Sequence, residues 1–262
     1  MIRVVMPLLC LCCCWSLAGA EILTKSVEYQ DDDVTLEGFV AWDSEKADED
    51  SPGVLVVHQW MGLTDYEKGR CQQLAEMGYV AFAVDIYGKG VRPQDMQSAG
   101  QQATIYKSDR QLFRRRLYLG LQQLRAQSGV DKDRIAAIGY CFGGTGVLEL
   151  ARSGAEVQGC ISFHGGLDSP TPEDGKNISA KLLICHGADD PFVAREDIDA
   201  CLKEFNEAQV NWQMNYYSGA VHSFTQPQAG DDNSRGAAYN EQADKRSWEA
   251  MKQFFDEIFA TE

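Results

Sequence analysis

Five short apolar runs constrain this chain more than anything else in it: Val54–Val57, Tyr79–Val84, Ile135–Gly139, Val157–Phe163 and Lys181–Cys185. They are continuous rather than alternating, the pattern of strands buried on both faces, and such strands occur in sheets covered by helices on both sides. The intervening stretches supply those helices. Asp65–Met77 ends at Gly78, where a C-capping glycine is expected. Residues 94–127 read as helical with an interruption near Ser108-Asp109, and Gly143–Arg152, Arg195–Ala208 and Ala238–Phe259 follow. Strand and helix in alternation at this spacing predict one α/β domain with a mostly parallel central sheet. Val34–Trp42 alternates apolar and polar residues as a half-exposed strand does, with Leu23–Tyr29 as its partner, and Trp212–Tyr217 is a last short strand. The loop at 166–180 reads as an insertion, and its Asn177-Ile178-Ser179 as a chance sequon.

The first twenty residues stand apart. Arg3, the apolar run Val4–Leu17 and the Ala18-Gly19-Ala20 exit describe a secretory signal, too short to span a bilayer comfortably. Cleavage after Ala20 is expected, leaving residues 21–262 as a single exported domain, periplasmic or secreted, with no later membrane span. Cys10, Cys12, Cys13 and Cys14 leave with the signal, so Cys71, Cys141, Cys160, Cys185 and Cys201 remain. An odd number leaves at least one thiol unpaired. Arg3 is the signal's single charge, so the mature chain carries 39 acidic against 23 basic side chains. That balance argues against nucleic acid and anionic membranes as partners. A monomer acting on a small molecule is expected.

One segment carries chemistry. The strand at Ile135–Gly139 runs into Gly139-Tyr140-Cys141-Phe142-Gly143-Gly144 and then a helix. This is the G-x-nucleophile-x-G elbow with cysteine as nucleophile: the turn is so sharp that neighbours two residues either side must lack side chains. It also sets the sulfur at a helix N-terminus, which favours a thiolate. In such a fold the acid and the histidine follow in that order. Asp190, in His186-Gly187-Ala188-Asp189-Asp190-Pro191, and His222, in Val221-His222-Ser223-Phe224, both fall after strands. Asp189 competes for the acid role, and either aspartate could instead be a loop carboxylate capping backbone amides. His58, His164, His186 and His222 all fall at strand carboxyl ends, which raises a metal site, but no pair has ligand spacing such as H-x-x-x-H. No metal or cofactor is expected.

These segments, with His58-Gln59-Trp60-Met61-Gly62, resemble the dienelactone hydrolase family of cysteine-dependent α/β-hydrolases over nearly the whole mature chain. The resemblance implies the α/β-hydrolase fold, a triad of Cys141, Asp190 and His222, and an oxyanion hole from the amides of Trp60 and Phe142. It selects Asp190 over Asp189. It also exposes departures. The family enzyme has a glutamate where Gln59 stands, which holds and then deprotonates the cysteine; an amide cannot, so His222 is left as sole base with the Cys141–His222 pair partly ionised at rest. The family's substrate-carboxylate arginines are replaced by Gln226 and, in a looser alignment, Gln102. Gln59, Tyr106 and Gln226 are the expected substrate-binding residues, with helix packing an equal reading for Tyr106.

The sequence therefore implies hydrolysis of esters or lactones less anionic than dienelactone, through a thioester acyl-enzyme. A thioesterase or acyltransferase with the same triad is the alternative within enzymes. An exported binding protein that keeps the elbow without efficient turnover is the alternative outside them. Arg114-Arg115-Arg116 reads as a solvated helix face, and Cys160 and Cys185 as small buried hydrophobes.

Overall fold

The computed structural model describes residues 21–46 and 50–260. The proposed signal segment lies outside the described residues.

Eight strands form one sheet: β1 (Ile22–Asp31), β2 (Val34–Asp43), β3 (Ser51–Val57), β4 (Val80–Val84), β5 (Val130–Tyr140), β6 (Gly159–Phe163), β7 (Lys181–Gly187) and β8 (Trp212–Tyr217). Their order is β1-β2-β4-β3-β5-β6-β7-β8. β1 and β2 pair antiparallel, β2 meets β4 antiparallel, and every pairing from β4 to β8 is parallel. The continuous apolar runs are buried as their composition requires. Leu55, Val57, Phe82, Ile135 and Leu182 enter one core layer, while Val54, Val56, Ala81, Ile138 and Leu183 enter the other.

Among the described residues six α-helices accompany the sheet: α1 (Asp65–Glu76), α2 (Met96–Ser108), α3 (Arg110–Arg125), α4 (Phe142–Arg152), α5 (Arg195–Glu207) and α6 (Glu241–Ile258). Phe113, Leu117 and Leu121 of α3, Val147 and Leu148 of α4, and Phe205 of α5 close the first layer. Leu74 of α1 and Met251, Phe254 and Phe255 of α6 close the second. The interruption expected near Ser108-Asp109 is a true break: Asp109 ends α2 and caps α3 by accepting from the Leu112 amide. α1 starts with a capping box, Thr64 accepting at one end and Glu67 reaching back to the Thr64 amide.

Several details differ from expectation. β5 begins at Val130, five residues earlier than the apolar run, because Val130 and Asp131 already pair with Ser51 and Pro52 of β3, while the exposed Lys132 and Asp133 bulge out before Ile135 resumes the pairing. α6 begins at Glu241 because the Asn240 side chain accepts from the Ala243 amide and stops it growing backward. The 166–180 loop contains a short 3-10 turn, Pro172–Asn177, pinned where Asp174 meets Arg114 at 2.6 Å.

Candidate active site

The parallel registers bring the carboxyl ends of β5, β6 and β7 side by side, with Tyr140 opposite Phe163 and Phe163 opposite Cys185. Cys141, His164 and the loop carrying Asp190 emerge together there, where sheets of this kind place their sites.

Cys141 caps α4 with φ 55° and ψ −113°, a left-handed conformation that non-glycine residues rarely adopt. The flanking glycines are obligatory. A Cβ on Gly139 would lie 2.0 Å from the Gly143 carbonyl oxygen, and one on Gly143 would lie 2.2 Å from the Val57 carbonyl oxygen. Any side chain at either position would open the turn and move the sulfur.

Across the site, His222 Nε2 is 3.0 Å from Cys141 Sγ, and His222 Nδ1 is 2.8 Å from Asp190 Oδ2. Asp190 Oδ1 accepts the Phe192 amide at 2.9 Å, so this carboxylate both caps its loop and orients the imidazole. The two readings for Asp190 are thus one arrangement. Asp189 is solvent-exposed and uses only its backbone, its amide donating to Ala220. His164 with φ 41° and Ser223, next to His222, with φ 58° are two further left-handed residues at the site.

The electrostatics couple sulfur and imidazole. Burial opposes a thiolate at Cys141, but the His222 charge, its hydrogen bond, the Phe142 amide and the Lys107 ammonium together hold the thiol below its ordinary value. Burial likewise opposes an imidazolium at His222, but the facing thiolate and Asp190 push its pKa up. Opposite shifts in two groups 3.0 Å apart mean that each group's charge favours the other's.

A cavity of about 480 Å³ opens over the pair. Trp60, Phe142 and Gln226 line it, as expected, with Thr145, Phe192, Val193 and Ala103. The Trp60 backbone is clamped: Tyr87 donates its hydroxyl to the Trp60 carbonyl at 3.0 Å, and the preceding Gln59 amide donates to Glu67. The Trp60 amide itself meets no acceptor among the described residues. Phe142 is held by its ring, stacked on Phe113 with centroids 4.5 Å apart.

Two expected substrate contacts are set back from the wall. Gln59 is buried beneath the Trp60 loop and does not line the cavity. Tyr106 is packed between Tyr87, Phe113 and Phe142, so its helix presents Ala103 and Lys107 to the cavity instead. Lys107 and Arg235 are the residues the sequence reading missed. Both line the cavity, so although Gln226 offers no guanidinium, positive charge stands at the site by another route. A basic residue one position beyond Tyr106 was the available signal; Arg235, in an irregular loop, offered none.

The remaining histidines have structural placements. His58 donates from Nδ1 to the Gln59 carbonyl at 2.6 Å and accepts the Ile86 amide on Nε2, and burial holds its pKa down to about 4. His186 packs edge-on against Tyr216. Among the described residues no three His, Cys, Asp or Glu side chains are grouped to hold a metal ion. The five cysteines among the described residues are free, and the four other than Cys141 are buried, their thiols pushed up by desolvation.

A nucleophile elbow at the carboxyl edge of a mostly parallel eight-stranded sheet, ordered β1-β2-β4-β3-β5-β6-β7-β8, defines an α/β-hydrolase. Residues 36–259 match the dienelactone hydrolase family, and the chain belongs to that family. A solved structure named m3DLH is 40% identical, covers 91% of this chain and 99% of its own, and superposes with a TM-score of 0.88. The dienelactone hydrolase-like promiscuous phosphotriesterase P91 from metagenomic libraries is also 40% identical, over 92% of this chain and 99% of its own, with a TM-score of 0.86. A candidate carboxymethylenebutenolidase of Aquifex aeolicus is 26% identical over 88% of this chain and 97% of its own.

Proposed function

We propose that this protein hydrolyses ester or lactone bonds through a thioester on Cys141, with His222 as proton carrier and Asp190 as its orienting acid. The observation that carries this reading is the unbroken line from Asp190 Oδ2 through His222 to Cys141 Sγ, at 2.8 and 3.0 Å, facing an open cavity.

The steps follow from the ion pair. The thiolate adds to the carbonyl carbon, and the carbonyl oxygen takes the electron pair beside the Phe142 and Trp60 amides. The tetrahedral adduct collapses, breaking the C–O bond, and His222 gives its Nε2 proton to the departing alkoxide. The neutral imidazole then takes a proton from water as that water adds to the thioester. Collapse of the second adduct expels the thiolate, releases the acid and restores the imidazolium beside it. With Gln59 buried away from the cavity, no carboxylate from that loop enters the cycle.

The cavity supports a substrate whose carboxylate is tolerated rather than required. Gln226 cannot fork a carboxylate as an arginine does, while Lys107 and Arg235 supply positive charge at the wall. The mature domain is read as exported, on the Arg3–Ala20 signal pattern.

The deciding experiment incubates mature protein with an uncharged aryl ester, quenches in acid and measures intact mass. An acyl adduct on Cys141, a burst of product and loss of both in Cys141→Ala are expected. Full turnover by Cys141→Ala would sink the reading; an adduct that never hydrolyses would favour a binding protein, and product carrying an added alcohol or thiol would favour an acyltransferase.

A further inference from the structure

His164 is fully buried, next to the nucleophile, and absent from the cycle above. Its ring lies 5.3 Å from that of His222, yet it contacts neither the cavity nor Asp190. Its own contacts are specific. The Cys141 backbone amide donates to His164 Nδ1 at 3.1 Å, sharing its proton with the Phe163 carbonyl at 3.0 Å. A backbone amide can only donate, so Nδ1 must carry a lone pair and the proton of the neutral ring sits on Nε2. Nε2 then donates to Thr225 Oγ1 at 2.8 Å.

The chain of contacts continues into the fold. Thr225 Oγ1 meets the Tyr66 hydroxyl at 2.7 Å, and Arg70 donates Nε to that hydroxyl at 3.3 Å. Arg70 Nη2 donates to the Thr225 carbonyl at 3.2 Å and to Asp244 at 2.7 Å. α1, α6 and the loop after His222 are thereby tied to one imidazole, which touches the strained residue of the elbow.

We propose that His164 is a positioning residue for the nucleophile: its bare Nδ1 receives the Cys141 amide and holds the left-handed elbow that sets the sulfur against His222. It rests on Cys141 being the nucleophile. The balance around His164 favours the neutral ring this role needs, against one backbone hydrogen bond that opposes it. Burial, then the His222, Arg70 and His186 charges, hold its pKa well below the ordinary value, and Thr225, Tyr66 and Tyr140 are neutral. A protonated Nδ1 would face the amide donor to donor and release the turn. Two imidazoles thus stand side by side with divided roles, His222 carrying the proton and His164 unable to.

The test compares three variants in the full mature protein. Asparagine places an acceptor close to where Nδ1 lies, glutamine places it too far out, and leucine removes it. Displacing a reacting group by about an ångström costs on the order of 10²-fold in rate. His164→Leu and His164→Gln should therefore lose roughly that factor in kcat with KM little changed, and His164→Asn should recover most of it. In the free enzyme, the pH midpoint of iodoacetamide alkylation at Cys141 should move up toward an ordinary thiol in the leucine and glutamine variants, and stay low in asparagine. Nitrogen-15 NMR of the wild-type histidines should show His164 only as the Nε2–H tautomer across the active pH range.

Equal behaviour of the asparagine and glutamine variants, or an Nδ1–H tautomer, would overturn the proposal. If the leucine variant does not fold, the asparagine–glutamine pair and the wild-type spectrum still decide. Alkylation and NMR need no substrate, so their outcome is separate from whether the protein proves to be an ester or lactone hydrolase.

Discussion

His222 Nε2 and Cys141 Sγ are 3.0 Å apart although 81 residues separate them in sequence, and each moves the other's proton affinity in the direction that keeps both charged. On the proposed mechanism, this coupling favours the thiolate and the imidazolium together before substrate arrives.

That pair sets the pH profile. Cys141 is shifted down, so its thiolate is gained as pH rises through the lowered pKa and lost below it. His222 is shifted up, so the imidazolium that protonates the leaving group persists until pH passes the raised pKa. A plot of kcat/KM against pH should be a bell with its acid limb below and its alkaline limb above the unperturbed values of about 8.5 for thiol and about 6.5 for imidazole. In protein comprising residues 21–262, iodoacetamide should label one thiol in the native state and all five after denaturation. A single alkylation midpoint near the ordinary thiol value would contradict the ion pair.

The two adjacent aspartates make a built-in control. Asp190→Asn should lower kcat by about 10² to 10⁴, because the amide offers Nδ1 the wrong partner and frees the ring to turn. Asp189→Asn, at an exposed carboxylate with no side-chain bond to the site, should leave kcat within about twofold. Steady-state kinetics on one ester, with circular dichroism to confirm folding, checks both.

Substrate charge should report on Lys107 and Arg235. Replacing either with glutamine should lower kcat/KM for a carboxylate-bearing ester by roughly tenfold, while an uncharged ester of the same size changes little. High salt should shrink the difference, because exposed charges are screened. Installing a guanidinium by Gln226→Arg should raise the anionic preference further. Parallel losses on both esters would show that the two cations do not read substrate charge.

Arg152 is a stability test away from chemistry. Its guanidinium is fully buried between Glu204 at 2.8 Å and Glu149 at 3.1 Å. Arg152→Met would leave the buried Glu204 without its cation, while Glu149 keeps Arg114 and Arg110, at a cost of about 3–5 kcal/mol. A large drop in Tm, with near-normal kcat per folded molecule, is expected. An unchanged Tm would mean that the Arg152–Glu204 pair contributes nothing net to stability.

Much of the architecture was legible because its causes are local. A strand buried on both faces must be apolar at every position, so β3, β4 and β6 announced themselves, whereas β5 was cut short at its polar start. The elbow was legible for the same kind of reason: Gly139 and Gly143 are required by clashes within a few residues of Cys141. Asp190 and His222 followed from their order after strands. Tyr106 and Gln59 did not behave as expected, because lining a cavity depends on which side of a helix or loop faces it, and residue type does not state that.

The sequence by itself determined the α/β-hydrolase frame, the elbow and the identity of the triad candidates, since these rest on short-range sterics and on the order of segments. Only the tertiary structure decided which charges surround the substrate and what holds the nucleophile. Lys107 and Arg235 meet at one cavity from segments far apart, and Cys141, His164, Thr225, Tyr66 and Arg70 form one hydrogen-bonded line only after four parts of the chain converge. Such contacts depend on distances of about 3 Å between residues remote in sequence, a scale on which no local pattern carries information.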